Sequence, residues 1–459
     1  NERDYNGQFH HMYQYRLTTL RSRVESECQQ KWDNGFKLNG KPVVKKEKVL
    51  DVQANEPCWC IGTVYCEMKY KPNVLEEVVN DTYGAPDLVK SYMDPEGEDQ
   101  VMLEDESGRL LLVGDYIKST PFVTGTVVGL LGMEADPGTF QVLDICYPRV
   151  LNQPPAPFPM SIKETVKKNN MSILKNDNDK IALISGLNIN TTSASTLLRI
   201  RLLQEYLNGS LYGENKSMST ISRLIICGNS VEFDINNKDQ GKLAKSLDQF
   251  GDFLGNVLQS IPVDILPGAN DPSDKGLPQQ PLHKALFRDS LKPYFDNINK
   301  SLLNLVTNPY KFKINGWDLL TLSGQSINDI MKYVIPYVEP SRENKDVNDD
   351  AMEVDSTADE DSMEHRLDLM ECTMKWQNIV PTSPDTLWCY PYKGKDPFIM
   401  DEYPHLYIVG NQPKFDKRMI EMSKDIKIQM ITLPIFSETG EFVLLDLKTL
   451  DTEVIKLDI

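Results

Sequence analysis

Five short apolar runs, each stopping at a glycine-centred polar tip, constrain this chain more than any other feature. They are Ile181–Ile184 before Ser185-Gly186-Leu187-Asn188, Leu224–Cys227 before Gly228-Asn229-Ser230, and Val263–Leu266 before Pro267-Gly268-Ala269-Asn270-Asp271. Leu319–Leu322 before Ser323-Gly324-Gln325 and Leu406–Val409 before Gly410-Asn411-Gln412 complete the set. Runs this short, rich in branched residues and bounded by turn residues, read as buried strands. The carboxyl ends of such strands are where an open α/β sheet presents its ligand-handling groups. None of the five tips carries a histidine, and only the third offers a carboxylate, Asp271. The spacing marks a scaffold able to bear a site, while the tip residues lack the groups that metal or acid–base chemistry needs.

With 459 residues the chain is long enough for two or three domains. No run approaches the ~18 apolar residues of a membrane-spanning helix, and nothing near Asn1 resembles a secretory signal. The net charge is −18, and Asp346–Glu364 alone holds nine acids and no base. An acidic body argues against broad nucleic-acid binding, because phosphate contacts supply most non-specific affinity. Lys45-Lys46-Glu47-Lys48 reads as solvated surface. The eight cysteines are scattered, and no pair at two-residue spacing builds a zinc site. They read as small buried hydrophobes in a reducing compartment, without a disulfide framework.

The expected organisation is an N-terminal amphipathic helix within 1–40, a β domain over 41–150, a proline-rich connector over 151–180 and an α/β domain over 181–459. Phe9, Tyr13, Leu17, Leu20, Val24 and Cys28 step by three or four, the helical period. Ile61–Cys66 alternates, Val101–Val113 reads as a hairpin turning at Gly108, Phe122–Leu131 is a strand with glycines at 125 and 129, and Gly138–Ile145 follows. Five strands bent by interior glycines suit a small closed barrel of the oligonucleotide-binding (OB) type. Such barrels hold single strands on aromatic platforms in a basic groove. Trp59, Tyr65 and Tyr70 with Lys69 and Lys71 are the candidates for one, opposed by Glu104, Asp105 and Glu106. A barrel reused for protein contacts is the preferred reading.

Beyond the connector, helices over Thr191–Leu207 and around Leu243–Leu258 alternate with the strands, an α/β texture. Ser326 and Asp329 have capping-box spacing for a helix reaching Tyr333. Residues 339–363 are acidic and poor in apolar groups, and read as a disordered insertion. Ser356, Thr357 and Ser362 lie among those acids as candidate phosphorylation sites. A hairpin is expected around Thr439-Gly440.

The tips resemble the ligand positions of calcineurin-like metallophosphoesterases. Such enzymes hold two metals ~4 Å apart on Asp, Asn and His ligands. The D-x-H of that family falls on Gly186-Leu187-Asn188, and its G-D-x-x-D on Gly228-Asn229-Ser230-Val231-Glu232. Its G-N-H-D falls on Gly268-Ala269-Asn270-Asp271, a lone histidine on Ser323, and its G-H-x-H on Gly410-Asn411-Gln412-Pro413. The resemblance therefore marks Gly186, Asn188, Asn229, Ala269, Asn270, Ser323, Asn411 and Pro413 as degenerate metal-site positions. It implies no bound metal, no cofactor and no catalytic residue, since neutral amides do not offset the charge of two divalent cations.

An OB barrel followed by a disabled phosphoesterase sandwich flanked by helices is similar to the second, accessory subunit of eukaryotic replicative DNA polymerases. Leu130-Leu131-Gly132-Met133-Glu134, Leu266–Pro272, Leu322–Gln325, Pro381–Pro391 and Val409–Pro413 resemble the polymerase delta branch, in yeast-like detail. That branch implies a non-catalytic scaffold in the nucleus, acting in DNA replication and repair. Its implied partners are the C-terminal cysteine-rich module of the polymerase delta catalytic subunit and a third subunit. Sharing with the catalytic subunit of translesion polymerase zeta is also implied, with little or no direct DNA contact. The rival readings are an active phosphoesterase with a divergent ligand set and a single-strand-binding barrel.

Overall fold

The structure, a computed structural model, describes residues 7–33, 35–72, 89–158, 160, 180–190, 193–210, 221–232, 240–287, 291–295, 302–336 and 356–458. The chain divides into two compact units, 1–152 with 326–401, and 153–325 with 402–459. Residues 326–401, expected within the second domain, thus belong to the first unit.

The first unit is built on five strands: β1 (Cys58–Glu67), β2 (Gln100–Glu104), β3 (Arg109–Val113), β4 (Val127–Glu134) and β5 (Thr139–Cys146). Their order is β1-β2-β3-β5-β4, and β4 pairs back onto β1, so the barrel closes. Successive side chains of a strand face opposite ways. Cys58, Cys60, Val64 and Cys66 accordingly point into the barrel with Leu103, Leu110 and Phe140. Trp59 and Ile61 point outward, beneath Leu20, Val24 and Cys28 of the N-terminal helix His10–Cys28. The strand expected to begin at Phe122 begins at Val127, because Gly125 turns the backbone to φ +95° ahead of it.

Of the candidate platform aromatics, Tyr70 is exposed and Tyr65 lies under the Arg109 guanidinium, but Trp59 is not available. Trp59 is fully buried and its indole N–H donates to Asp33 Oδ1 at 2.8 Å. Lys69 pairs with Glu98 at 2.7 Å and Lys71 with Asp385 at 2.6 Å. The candidate groove is therefore neutralised and lacks its tryptophan.

The buried stripe of the N-terminal helix is Met12, Arg16, Leu20, Val24 and Cys28, a strict step of four, rather than the stripe through Phe9, Tyr13 and Leu17. A guanidinium sits in that stripe because its partners come from far along the chain. Arg16 Nε donates to Asp396 Oδ2 at 2.7 Å, and Nη1 to Pro381 O at 2.9 Å. Arg23 adds Gln377 Oε1 at 2.9 Å and Met400 O at 2.6 Å. These bonds explain why 326–401 groups with the barrel.

The helix Ser356–Trp376 begins inside the segment expected to be disordered, so 356–363 is helical and that reading is corrected there; residues 337–355 lie outside the described residues. Met363, Leu367, Leu369, Met370 and Met374 are buried. Packing of this half offsets the nucleation cost, and adding turns to an existing helix is then favourable. The capping box at Ser326 is not formed: Ser326 Oγ donates to Ile379 O at 2.5 Å, and Asp329 accepts from Thr386 Oγ1 at 2.6 Å.

The second unit contains β6 (Lys180–Ile184), β7 (Ile221–Cys227), β8 (Val263–Leu266), β9 (Leu303–Leu305), β10 (Tyr310–Ile314), β11 (Trp317–Leu322), β12 (Leu406–Gln412), β13 (Asp416–Ser423), β14 (Ile426–Pro434), β15 (Glu441–Asp446) and β16 (Thr452–Lys456). They form two sheets, ordered β9-β8-β7-β6-β15-β16 and β10-β11-β12-β14-β13. Strands β6 to β9 run parallel, as do β11, β12 and β14. Ile181, Leu183, Ile225, Cys227 and Leu266 pack against Leu319, Leu406, Ile408, Ile431 and Leu433 between the sheets. The alternate residues Ala182, Ile184, Leu224, Ile226 and Ile265 meet Leu203, Phe250 and Leu254 of the helices Ala194–Leu207 and Gln240–Val257. Burial on both faces is why these runs read as continuously apolar.

Ser193 caps the first of these helices by accepting from Thr196 N at 3.2 Å. Thr439-Gly440 is not a hairpin: Phe436–Thr439 is one helical turn, stopped by Gly440 at φ +72°. The hairpin lies between β15 and β16.

Candidate functional site

The carboxyl ends of β6, β7, β8, β11 and β12 meet at one place. Each chain leaving its strand must turn sharply, and several do so through the left-handed region. Gly186, Gly228 and Gly324 take φ of +65°, +85° and +109°, and Asn188, Asn229 and Asn411 take +42°, +56° and +54°. Asparagine is one of the few non-glycine residues that adopts this conformation readily. The amides therefore stand at the tips for a backbone reason as well as for their contacts.

Asp271 is fully buried and organises the centre. Its Oδ1 accepts the backbone N–H groups of Ser230 at 2.8 Å and Val231 at 3.0 Å, and its Oδ2 accepts that of Gly268 at 2.7 Å. Burial pushes its carboxyl up to about 6, against the lowering effect of these donors. Asn229 Oδ1 accepts from Asn270 N at 3.0 Å, and Asn270 Nδ2 donates to Asn188 Oδ1 at 3.3 Å. Asn188 Nδ2 in turn donates to Ser437 Oγ at 3.2 Å.

On the other side, Asn411 Nδ2 donates to Ser323 O at 2.7 Å and Cys227 O at 3.2 Å, while its backbone N–H donates to Ser185 Oγ at 2.8 Å. Asn308 Nδ2 donates to Ser323 Oγ at 2.7 Å and Gln279 Oε1 at 2.8 Å, and Gln325 Nε2 also donates to Gln279 Oε1 at 2.9 Å. Lys275 Nζ donates to Ala269 O, and burial lowers the Lys275 ammonium, an effect the Asp271 charge opposes.

Of the eight sequence-marked positions, Asn188, Asn229 and Asn270 form one hydrogen-bonded row, and Ser323 and Asn411 a second pair. Gly186 lies beside Asn411, where a Cβ would sit 2.9 Å from Asn411 Oδ1. Ala269 contributes its carbonyl. Pro413 is exposed and joins none of these bonds. Ser185, Lys275, Gln279, Asn308, Gln325 and Gln412 were not marked. Gln325 and Gln412 stood in the tips themselves, but nothing in the sequence distinguishes Gln279 or Asn308 from ordinary loop amides.

The donor set does not fit a pair of divalent cations. Such ions need several anionic or imidazole ligands. Among the described residues no three His, Cys, Asp or Glu side chains gather to hold a metal. Both oxygens of Asp271 are committed to backbone donors. Ser230 Oγ and Asn411 Oδ1 are buried without a hydrogen-bond partner among the described residues, but both are neutral. The space is also filled: a Cβ on Gly228 would overlap Ser323 Cβ, and one on Gly268 would overlap the Asn229 amide. His405, the other polar group of note, is buried away from the tips. Its Nδ1 accepts from Asp318 N at 3.0 Å and its Nε2 lies 2.9 Å from Pro154 O, and burial holds it below the usual histidine range.

Residues 181–417 match the family of DNA polymerase alpha/epsilon B subunits, and residues 8–145 match the DNA polymerase delta subunit OB-fold domain. The DNA polymerase delta small subunit of Saccharomyces cerevisiae is 59% identical over 460 residues, covering 100% of this chain and 91% of that protein. The DNA polymerase delta small subunit of Oryza sativa subsp. japonica is 31% identical, over 97% of this chain and 92% of its own. DNA polymerase delta subunit 2 of Drosophila melanogaster is 30% identical, over 99% and 94%.

Proposed function

The chain belongs to the DNA polymerase delta small-subunit family, and from that membership we propose that it works as the non-catalytic scaffold of a DNA polymerase delta. It bridges the C-terminal cysteine-rich module of the catalytic subunit to a third subunit, in the nucleus, during DNA replication and repair. It is shared with the catalytic subunit of translesion polymerase zeta. Polymerisation belongs to the catalytic subunit, and the phosphoesterase-like sandwich performs no hydrolysis of its own.

One observation carries the non-catalytic part of this reading. The Asp271 carboxylate, the one anionic tip group, is buried with both oxygens bonded to backbone N–H groups at 2.7–3.0 Å. A lone carboxylate so engaged, with no cluster of anionic or imidazole groups beside it among the described residues, is a poor ligand set for two divalent cations, and the amides around it bond to one another. Without a bound cation there is neither a Lewis acid nor an activated water.

The test is co-expression with a polymerase delta catalytic subunit, intact or lacking its cysteine-rich module, followed by affinity purification. Co-purification with the intact subunit and its loss on removing the module is expected. Stoichiometric manganese or zinc in the purified chain, with turnover of a phosphodiester, would overturn the non-catalytic reading. Indifference to the module would overturn the bridging one.

A further inference from the structure

Cys28 closes the N-terminal helix, and Cys146 closes β5, 118 positions later in the numbering. In the barrel Gly129 stands opposite Cys146 in the β4–β5 ladder. Gly129 has no side chain, and the room is taken by sulfur: a Cβ there would overlap Cys28 Sγ and lie 3.6 Å from Cys146 Cβ. The Cys28 sulfur thus occupies the place of a cross-strand neighbour of Cys146. The two side chains are therefore next to each other, as the partners of a disulfide must be.

The surroundings distinguish Cys146 from the chain's other seven cysteines. Cys28 has no exposed surface, whereas Cys146 is 6% exposed. Beside Cys146, Lys31 pairs with Asp144 at 2.7 Å and lies 3.4 Å from Ile145 O. The neighbouring Cys28 thiol holds Cys146 below its usual range against the opposing effect of burial, and the Lys31 ammonium acts in the same direction. Burial pushes Cys58, Cys60, Cys66, Cys227, Cys372 and Cys389 upward, and Cys146 together with burial does the same to Cys28, so Cys146 is the nucleophile of the pair.

We propose that Cys28 and Cys146 form a peroxide-oxidisable dithiol that fastens the N-terminal helix to the barrel. The Cys146 thiolate attacks a hydroperoxide oxygen; the O–O bond breaks, and the sulfur becomes a sulfenic acid as an alcohol, or water from hydrogen peroxide itself, departs. The Cys28 thiol then displaces water from that sulfur, and the S–S bond forms. Two thiols and one hydroperoxide give one disulfide, one alcohol and one water, with both electrons passing to the peroxide. The resting state is the dithiol, as both cysteines are free here. The proposal does not rest on the assembly reading.

The full chain is exposed to hydrogen peroxide, blocked with an alkylating agent, digested without reductant and mapped by mass spectrometry. A Cys28–Cys146 linked peptide, lighter by two hydrogens and abolished by a reductant, is expected. In Cys28→Ser, peroxide should instead leave a sulfenic acid at Cys146 that a 1,3-diketone probe captures. Full alkylation of both residues after peroxide would overturn the proposal. So would a linkage dominated by any other pair in the folded protein. The wild-type map needs no substitution, so a variant that fails to fold leaves the test intact.

Discussion

The Asp271 carboxylate accepts the backbone N–H of Ser230 at 2.8 Å, joining the tip after β8 to the tip after β7 through one side chain. With Val231 and Gly268 the same group satisfies three buried donors.

Replacing Asp271 with alanine strands those donors away from water. Each buried unsatisfied group costs ~1–3 kcal/mol, so a loss of at least ~3 kcal/mol is expected. Urea denaturation of the chain would measure it. A loss below ~1 kcal/mol would mean that the tips relax or hydrate freely, and that the carboxylate is not their organiser.

The pH dependence follows from the same group. Its folded value of about 6 lies above the ordinary 3.8, so the folded state holds the proton more tightly than the unfolded state. The associated stabilisation is complete below about 4 and is lost as pH rises through 6. Two pK units correspond to ~3 kcal/mol. The stability advantage of wild type over Asp271→Asn should therefore shrink as pH is raised from about 4 to about 7. A gap constant over that range would show that Asp271 titrates alike in both states.

Arg16 and Asp396 form a buried pair at 2.7 Å with side chains 1% and 0% exposed. Arg16→Met leaves the carboxylate buried and unpaired, at an expected cost of ~3–5 kcal/mol. Adding Asp396→Leu should recover most of that loss, because two apolar groups replace the ion pair. Thermal unfolding of the single and double variants distinguishes this from simple loss of helix packing, in which the second change would give no recovery.

If the tips serve architecture alone, Asn270→Ala should leave affinity for the catalytic subunit within about twofold, a change of ~0.4 kcal/mol. Titration of the variant over immobilised catalytic subunit reads this directly. A tenfold loss would place Asn270 in a functional contact.

How much of this was legible depended on distance along the chain. The strands of the sandwich were plain because Ile181–Ile184 and Ile225–Cys227 are apolar on both faces, and the turns after them were plain from Gly186, Gly228 and Gly268. The placement of 326–401 was not legible. It is set by bonds such as Arg16 to Asp396, which lie 380 positions apart, and no local pattern in the helix shows that an arginine will be its buried anchor. The start of the helix at Ser356 was masked by composition, since acids that discourage a core do not discourage a helix amino terminus. Gln279 and Asn308 gained their roles only when two loops met. Trp59 was ambiguous for a related reason: an indole suited to stacking on a base serves equally well to fill the space under a helix.

Gly228 and Gly268 also bear on whether a metal pair could be built into these tips. Asn229 fills the space above Gly268, and Ser323 the space above Gly228. Asn229→Asp alone would place a second negative charge near Asp271 before any compensating ion had a place to bind. Ser323→His alone would drive a ring into a closed joint. Each tip residue is thus locked by its neighbours, and an engineer building a metal pair here must exchange several tips at once.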